Sequence, residues 1–254
     1  MTWFEVVAIL LAGVAAGTIN TVVGSGTLIT FPTLLAFGVP PVTANVSNTV
    51  GLVPGTLSGT IGYRRELSGQ RDRVLRLSVA SLTGGVIGAI LLLVLPESAF
   101  SAIVPVLILL GCVLVVFQPR ISVWVARRHE QSGGLSEHGA WWVWPLVLLT
   151  GVYGGYFGAA QGVLLMAILG IGVPETLQRL NATKNVLALL VNGVAAILFI
   201  ALVDIDWTVA ALIAAGAVVG GQVGATYGRR LPPAGLRAFI VVVGAAALAS
   251  FLFR

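Results

Sequence analysis

Residues 13–51, GVAAGTINTVVGSGTLITFPTLLAFGVPPVTANVSNTVG, decide the fold because they occur twice. The degenerate second copy is residues 151–187, GVYGGYFGAAQGVLLMAILGIGVPETLQRLNATKNVL. Gly13, Gly17 and Gly24 return as Gly151, Gly155 and Gly162, an offset of 138. Val39-Pro40 returns as Val173-Pro174, an offset of 134, and Asn45, Ser47 and Val50 return as Asn181, Thr183 and Val186, an offset of 136. Further out, Gly84, Gly85 and Gly88 match Gly220, Gly221 and Gly224, and Leu95-Pro96 matches Leu231-Pro232, again at 136. Ordered matches over most of both halves mark an internal duplication, a signature of secondary transporter folds.

The setting of the repeat is a membrane. Of 254 residues, 57% are hydrophobic and 9% charged, against about a quarter charged in soluble domains, and mean hydropathy is +1.02. So few charges cannot cover a water-facing surface. Uncharged runs such as Ser78–Leu95, Ala99–Pro119, Asn185–Val203 and Trp207–Gly228 are long enough to cross the roughly 30 Å hydrocarbon core as helices. They lack the period-2 alternation of a barrel strand. The opening MTWFEVVAILL has no basic n-region and carries Glu5, so it reads as a retained first membrane helix. Cys112 stands alone, which excludes disulfides and Cys-based metal sites. The net charge of +5 reflects topology and anionic headgroups, with no nucleic-acid partner.

Charge decides the orientation of the copies. Arg64, Arg65, Arg71, Arg73 and Arg76 follow the third element of copy one, whereas Asp204 and Asp206 follow its counterpart. Conversely, Pro96-Glu97 has no basic neighbour, while its counterpart holds Arg229, Arg230 and Arg237. Since Lys and Arg collect on the cytoplasmic side, equivalent loops lie on opposite faces. The expected fold is an all-α polytopic helix bundle of two inverted repeats, each about four full spans plus one short or re-entrant helix. The expected elements are 3–22, 26–38, 44–63, 75–95 and 99–118, then 141–158, 161–172, 183–203, 207–228 and 236–253. The repeats are 1–118 and 140–254, joined by a cytoplasmic basic linker, 119–139, with a flexible Ser-Gly-Gly and both histidines, His129 and His138. This places 13 of 14 basic residues inside, Arg254 outside and both termini outside. Four crossings per parallel copy is the rival, and the charges disfavour it.

Short, Gly-interrupted elements at matching places point to a binding site, and polar residues flank both. The candidate ligand-binding residues are Asn20, Gly24, Ser25, Gly26, Thr27, Asn45, Ser47, Asn48, Thr49, Tyr156, Gln161, Gly162, Asn181, Thr183, Lys184 and Asn185. The set is rich in donors and has no carboxylate, which suits an anion. Gly24 and Gly26 would let backbone approach it, and helix starts add N–H groups. Lys184, the only lysine, aligns with Asn48 about one turn inside its helix; it marks a site or snorkels to headgroups beside Arg179. Asn45 and Asn181 could equally be helix N-caps. Asn192 and Gln222 could line the path or bond to neighbouring helices, and bonding is preferred. Glycines spaced by four, as in Gly51, Gly55 and Gly59, suit close helix packing. No HExxH, carboxylate cluster or Walker loop is present, so neither metal, cofactor nor enzymatic activity is expected.

The two quoted segments resemble the sulfite exporter TauE/SafE family, through the Gly-rich GSGTLITFPTLL stretch, the GVPP turn and the Asn-bearing start of the next helix. Ala159, Ala160 and Gln161 depart from the Gly-rich form in the second copy. The resemblance implies a permease of the bacterial inner membrane that moves a small sulfur-containing anion, sulfite or an organosulfonate, by alternating access around a midplane site. Import by the same fold is an alternative. A membrane scaffold that docks a partner on the Arg-rich linker is another, disfavoured because a scaffold has no need of a duplicated polar site.

Overall fold

The computed structural model describes residues 1–131, 139–228 and 233–252, and the described residues are helical with no strand. The helices are α1 (Trp3–Val22), α2 (Thr27–Ala36), α3 (Pro41–Gly62), α4 (Arg71–Val94) and α5 (Glu97–Gln131) in copy one. Copy two holds α6 (Val143–Tyr156), α7 (Gln161–Gly172), α8 (Leu177–Leu202), α9 (Trp207–Tyr227) and α10 (Pro233–Leu252). Five of them, α1, α4, α5, α8 and α9, are long and apolar enough to cross a membrane. Large apolar side chains such as Leu11, Val79, Val106, Ile197 and Val219 face outward, where lipid takes the place of water.

Local chemistry sets the ends. Thr2 and Glu5 form a capping box on α1, Pro41 opens α3 at its first position, and the Asp206 side chain accepts from Val209 N at 3.0 Å to cap α9. α3 and α8 begin earlier than their Asn residues suggest, at Pro41 and Leu177, so Asn45 and Asn181 sit inside the helices and cap nothing. α6 is shorter than expected, because Gly158 (φ 76°) and Ala160 (φ 60°) break the chain in the left-handed region after Tyr156. Most of the expected linker is helix: α5 runs through Pro119 to Gln131. The Ser-Gly-Gly, His138, Arg229, Arg230 and Arg254 lie outside the described residues.

The packing shows the duplication directly, since nearly every helix contact has a counterpart in the other copy. α1 packs on α9 as α6 packs on α4, α3 on α9 as α8 on α4, and α10 on α2 as α5 on α7. Glycine stripes fix the direction. Gly13 lies against Ile213 and Gly216, Gly17 against Ala217, and Gly224 against Thr18 and Thr21, so α1 and α9 run parallel. Gly51 against Ala210, Gly55 against Ala217 and Gly62 against Ala225 make α3 parallel to α9 as well. Gly84 against Leu148 and Gly88 against Val152 make α4 parallel to α6. Thr183 near the start of α8 donates to Gln70 beyond the end of α3, 3.3 Å away, whereas Ser47 near the start of α3 accepts from Asp206 N beyond the end of α8, at 3.0 Å. The two long helices therefore run oppositely, and the repeats are inverted.

One result was not legible in the duplication: the copies exchange helices. The tight bundles are α1, α3 and α9 on one side and α4, α6 and α8 on the other, so each takes elements from both copies. Their broken helices meet at Gly24 and Gly162, which are repeat mates, and Gly162 N donates to Gly24 O at 3.1 Å. Mates in contact lie on the two-fold axis relating the copies.

Candidate functional site

α1 stops at Val22 because Gly24, at φ 85°, turns the chain and both Val23 N and Gly24 N donate back to Ile19 O. This leaves the carbonyls of Asn20 and Thr21 without partners in their own helix. The opposite bundle supplies donors. Lys184 Nζ lies 3.3 Å from Asn20 O and 3.2 Å from Thr21 O. Asn181 Nδ2 and Asn185 Nδ2 also reach Thr21 O, at 3.3 Å and 3.4 Å. Lys184 is 0% exposed and two turns into α8. It therefore does not snorkel to headgroups: its ammonium turns inward to the negative end of the broken α1. Two of its three N–H donors have these partners, and among the described residues no carboxylate forms an ion pair with it.

A cavity opens beside this ammonium, lined by Asn20, Thr21, Gly24, Thr27 and Thr56 of copy one and by Gly158, Gln161, Gly162, Lys184, Asn185, Ala188 and Asn192 of copy two. Among the described residues Lys184 is the only charge on its wall. Gln161, the first residue of α7, lies over Gly154, where a Cβ would displace its amide. It is buried, and its Nε2 has no hydrogen-bond partner among the described residues, although a buried amide without one costs roughly 1–3 kcal/mol. The Lys184 stem passes over Gly162, whose Cβ would stand 3.2 Å from Cδ. The cavity volume is about 10 Å³, no more than one water needs. A larger ligand needs a wider cavity than this one.

A polar clasp lies on the face that holds the start of α8. Glu175 Oε2 accepts from Arg73 at 3.3 Å and Oε1 lies 2.8 Å from Arg179. Burial opposes the charge on Glu175, but the Thr176 amide and the two guanidiniums outweigh it and hold the carboxyl below its ordinary range. Gln70 joins the clasp, donating to Arg179 O and accepting from Arg73.

The family model described as Sulfite exporter TauE/SafE matches residues 9–251. The chain belongs to the TauE/SafE family. It is 28% identical to the Probable membrane transporter protein ORF9 of Sinorhizobium sp. over 96% of this chain and 91% of that one. It is 27% identical to the Probable membrane transporter protein YfcA of Escherichia coli K12, over 94% and 86%, and 25% identical to a Probable membrane transporter protein of Haemophilus influenzae, over 87% and 84%. No solved structure matches it.

In this TauE/SafE protein the sequence candidates divide into a cavity group and a bracing group. Asn20, Gly24, Thr27, Gln161, Gly162, Lys184 and Asn185 line the cavity, with Asn181 behind them. Gly24, while lining the cavity, abuts Gly162, and Gly26 N donates to Asn20 Oδ1 at 3.2 Å. The matching residues of copy one brace the structure. Asn48 accepts from Thr30 and reaches Thr27 at 3.5 Å, and Asn45 donates to Tyr156 O at 3.0 Å. Thr49 donates to Asn45 O, while Ser47 and Thr183 tie the helix ends. Ser25 is fully buried, and its hydroxyl has no partner among the described residues. Gln222 bonds to Ser58 as expected. Asn192, read as another such tie, instead lines the cavity, as do Thr21 and Thr56. Thr56 and Asn192 are repeat mates at offset 136, both polar and both mid-helix, and that coincidence was the available signal.

Proposed function

We propose that this TauE/SafE transporter exports a small sulfur-containing anion, sulfite or an organosulfonate, across the bacterial inner membrane by alternating access around the Lys184 cavity. The observation that carries the reading is a buried ammonium and an unpartnered amide donor facing one cavity between the two bundles, with no carboxylate among the described residues on its wall. A buried cation without an anionic partner is costly, and an anion offsets that cost. The clasp face, which carries Arg64, Arg65, Arg71, Arg73, Arg76 and Arg179, is cytoplasmic under the positive-inside rule, which puts both termini outside. Anion exit from a negative interior is driven by about 2.3 kcal/mol per charge per 100 mV, so export needs no carboxylate proton relay. The test is sulfite efflux from proteoliposomes under imposed potentials and pH gradients. Saturable efflux that accelerates as the interior becomes negative is expected. Flux insensitive to potential, or obligatory proton symport, would overturn potential-driven export, and absence of saturable flux for sulfite and short sulfonates would overturn the substrate class.

A further inference from the structure

We infer that the cavity is matched to a single negative charge, so that the protein accepts singly charged sulfur oxyanions (hydrogen sulfite and sulfonates) and rejects doubly charged ones of the same shape, such as sulfate. The inference rests on the anion reading above and goes further by counting charges. Among the lining residues only Lys184 is ionic; every other polar group is a neutral amide or hydroxyl. Four broken helix ends also border the cavity, two of each sign. α1 ends at Asn20 and Thr21, and α6 ends just before Gly158, each worth about −0.5, whereas α2 begins at Thr27 and α7 at Gln161, each worth about +0.5. These contributions offset each other, which leaves one net positive charge.

Among the described residues no second cation lines the cavity. Arg179 and Arg73 lie on the face beyond it, both held against Glu175, at 2.8 Å and 3.3 Å. Asn48, the repeat mate of Lys184, is neutral and bonded to Thr30, so the duplication does not supply a symmetrical second charge. An anion of charge −1, in a cavity widened to admit it, leaves the site neutral, and Gln161 Nε2 with the Asn185 and Asn192 amides can solvate its oxygens. A dianion in the same place leaves one uncompensated negative charge sealed between the bundles, with helix carbonyls of Asn20 and Thr21 on its wall. Buried charge without a partner is the costliest outcome available to such a site.

The experiment is equilibrium binding to the purified wild-type protein at constant ionic strength. Radiolabelled methanesulfonate is the probe, with sulfate and perchlorate as competitors. Perchlorate is tetrahedral with four oxygens, as sulfate is, but carries one charge. Perchlorate should displace methanesulfonate at least tenfold better than sulfate does. Sulfate displacing as well as perchlorate would overturn the charge match while leaving the anion site intact. No specific methanesulfonate binding, together with no flux in the liposome assay, would remove the anion site itself, and the charge match with it. A second arm adds a charge: in Gln161→Lys the preference should shift toward sulfate by tenfold or more. An unchanged preference in that folded variant would overturn the proposal even if the wild type discriminates.

Discussion

Lys184 meets two demands that usually fall to different residues. It closes the exposed carbonyl end of α1, and it sets the charge of the cavity. Its repeat mate Asn48 shows that the equivalent place accepts a neutral amide, bonded there to the Thr30 and Thr27 side chains. Lys184→Asn should therefore fold, with Asn20 O as the one carbonyl losing its donor, since Thr21 O keeps Asn181 and Asn185. Hydrogen bonds to a charged group contribute about 1.5–3 kcal/mol, so affinity for methanesulfonate or sulfite should fall roughly 10- to 100-fold. Titration calorimetry on the folded variant checks this, and wild-type affinity would remove Lys184 from the site. The importance of Lys184 was legible in the sequence as the only lysine, set in an apolar run. Its inward turn was not, because a long side chain near a helix end reaches headgroups just as easily, and only the gap left by the Gly24 break decides between the two directions.

At the scale of the element, glycine spacing carries the helix contacts. A Cβ on Gly220 would fall on the Val14 carbonyl, whereas one on Gly193 meets nothing within 4 Å. Gly220→Ala should destabilise the protein by about 1–3 kcal/mol through overpacking, while Gly193→Ala should be neutral or gain up to about 1 kcal/mol from helix propensity. Thermal unfolding in detergent compares the two; equal midpoints would mean the stripe is not a packing surface. Existence, order and shortness of the elements were legible, since Gly breaks and Val-Pro turns are local chemistry. Starts were less so. Pro41 and Leu177 begin their helices before Asn45 and Asn181, because a pre-set proline φ in one and the extended Thr176 before the other open a helix without an Asn side chain. Partner choice was not legible at all: the stripes at Gly13, Gly84, Gly151 and Gly220 look alike, and small-residue spacing says that a helix is approached closely without saying by which one.

At the scale of the whole molecule, the exchange of helices changes which parts can move as rigid bodies. If each repeat moved as one piece, α1 would have to slide on α9 and α4 on α6, along stripes where backbone touches backbone and no side chain cushions the motion. Close-packed surfaces of this kind resist continuous sliding. The seam between α1–α3–α9 and α4–α6–α8 has such a contact where Gly24 abuts Gly162 but no stripe of them among the described residues. It is held by polar bonds such as Asn45 to Tyr156 O at 3.0 Å and Lys184 to Thr21 O at 3.2 Å, it contains the cavity, and its bonds can be exchanged for bonds to a ligand or water. Alternating access should therefore open the seam and leave the stripes intact. In a Cys112→Ser background, cysteines at Ser58 and Gln222, whose side chains meet at 2.9 Å within one bundle, should tolerate a short thiol cross-link with flux retained. Cysteines at Asn45 and Tyr156, across the seam, should lose flux when cross-linked and regain it on reduction, each variant being compared with its own reduced form. Loss of flux in the Ser58–Gln222 pair, with retention in the Asn45–Tyr156 pair, would instead make the sequence repeats the moving bodies.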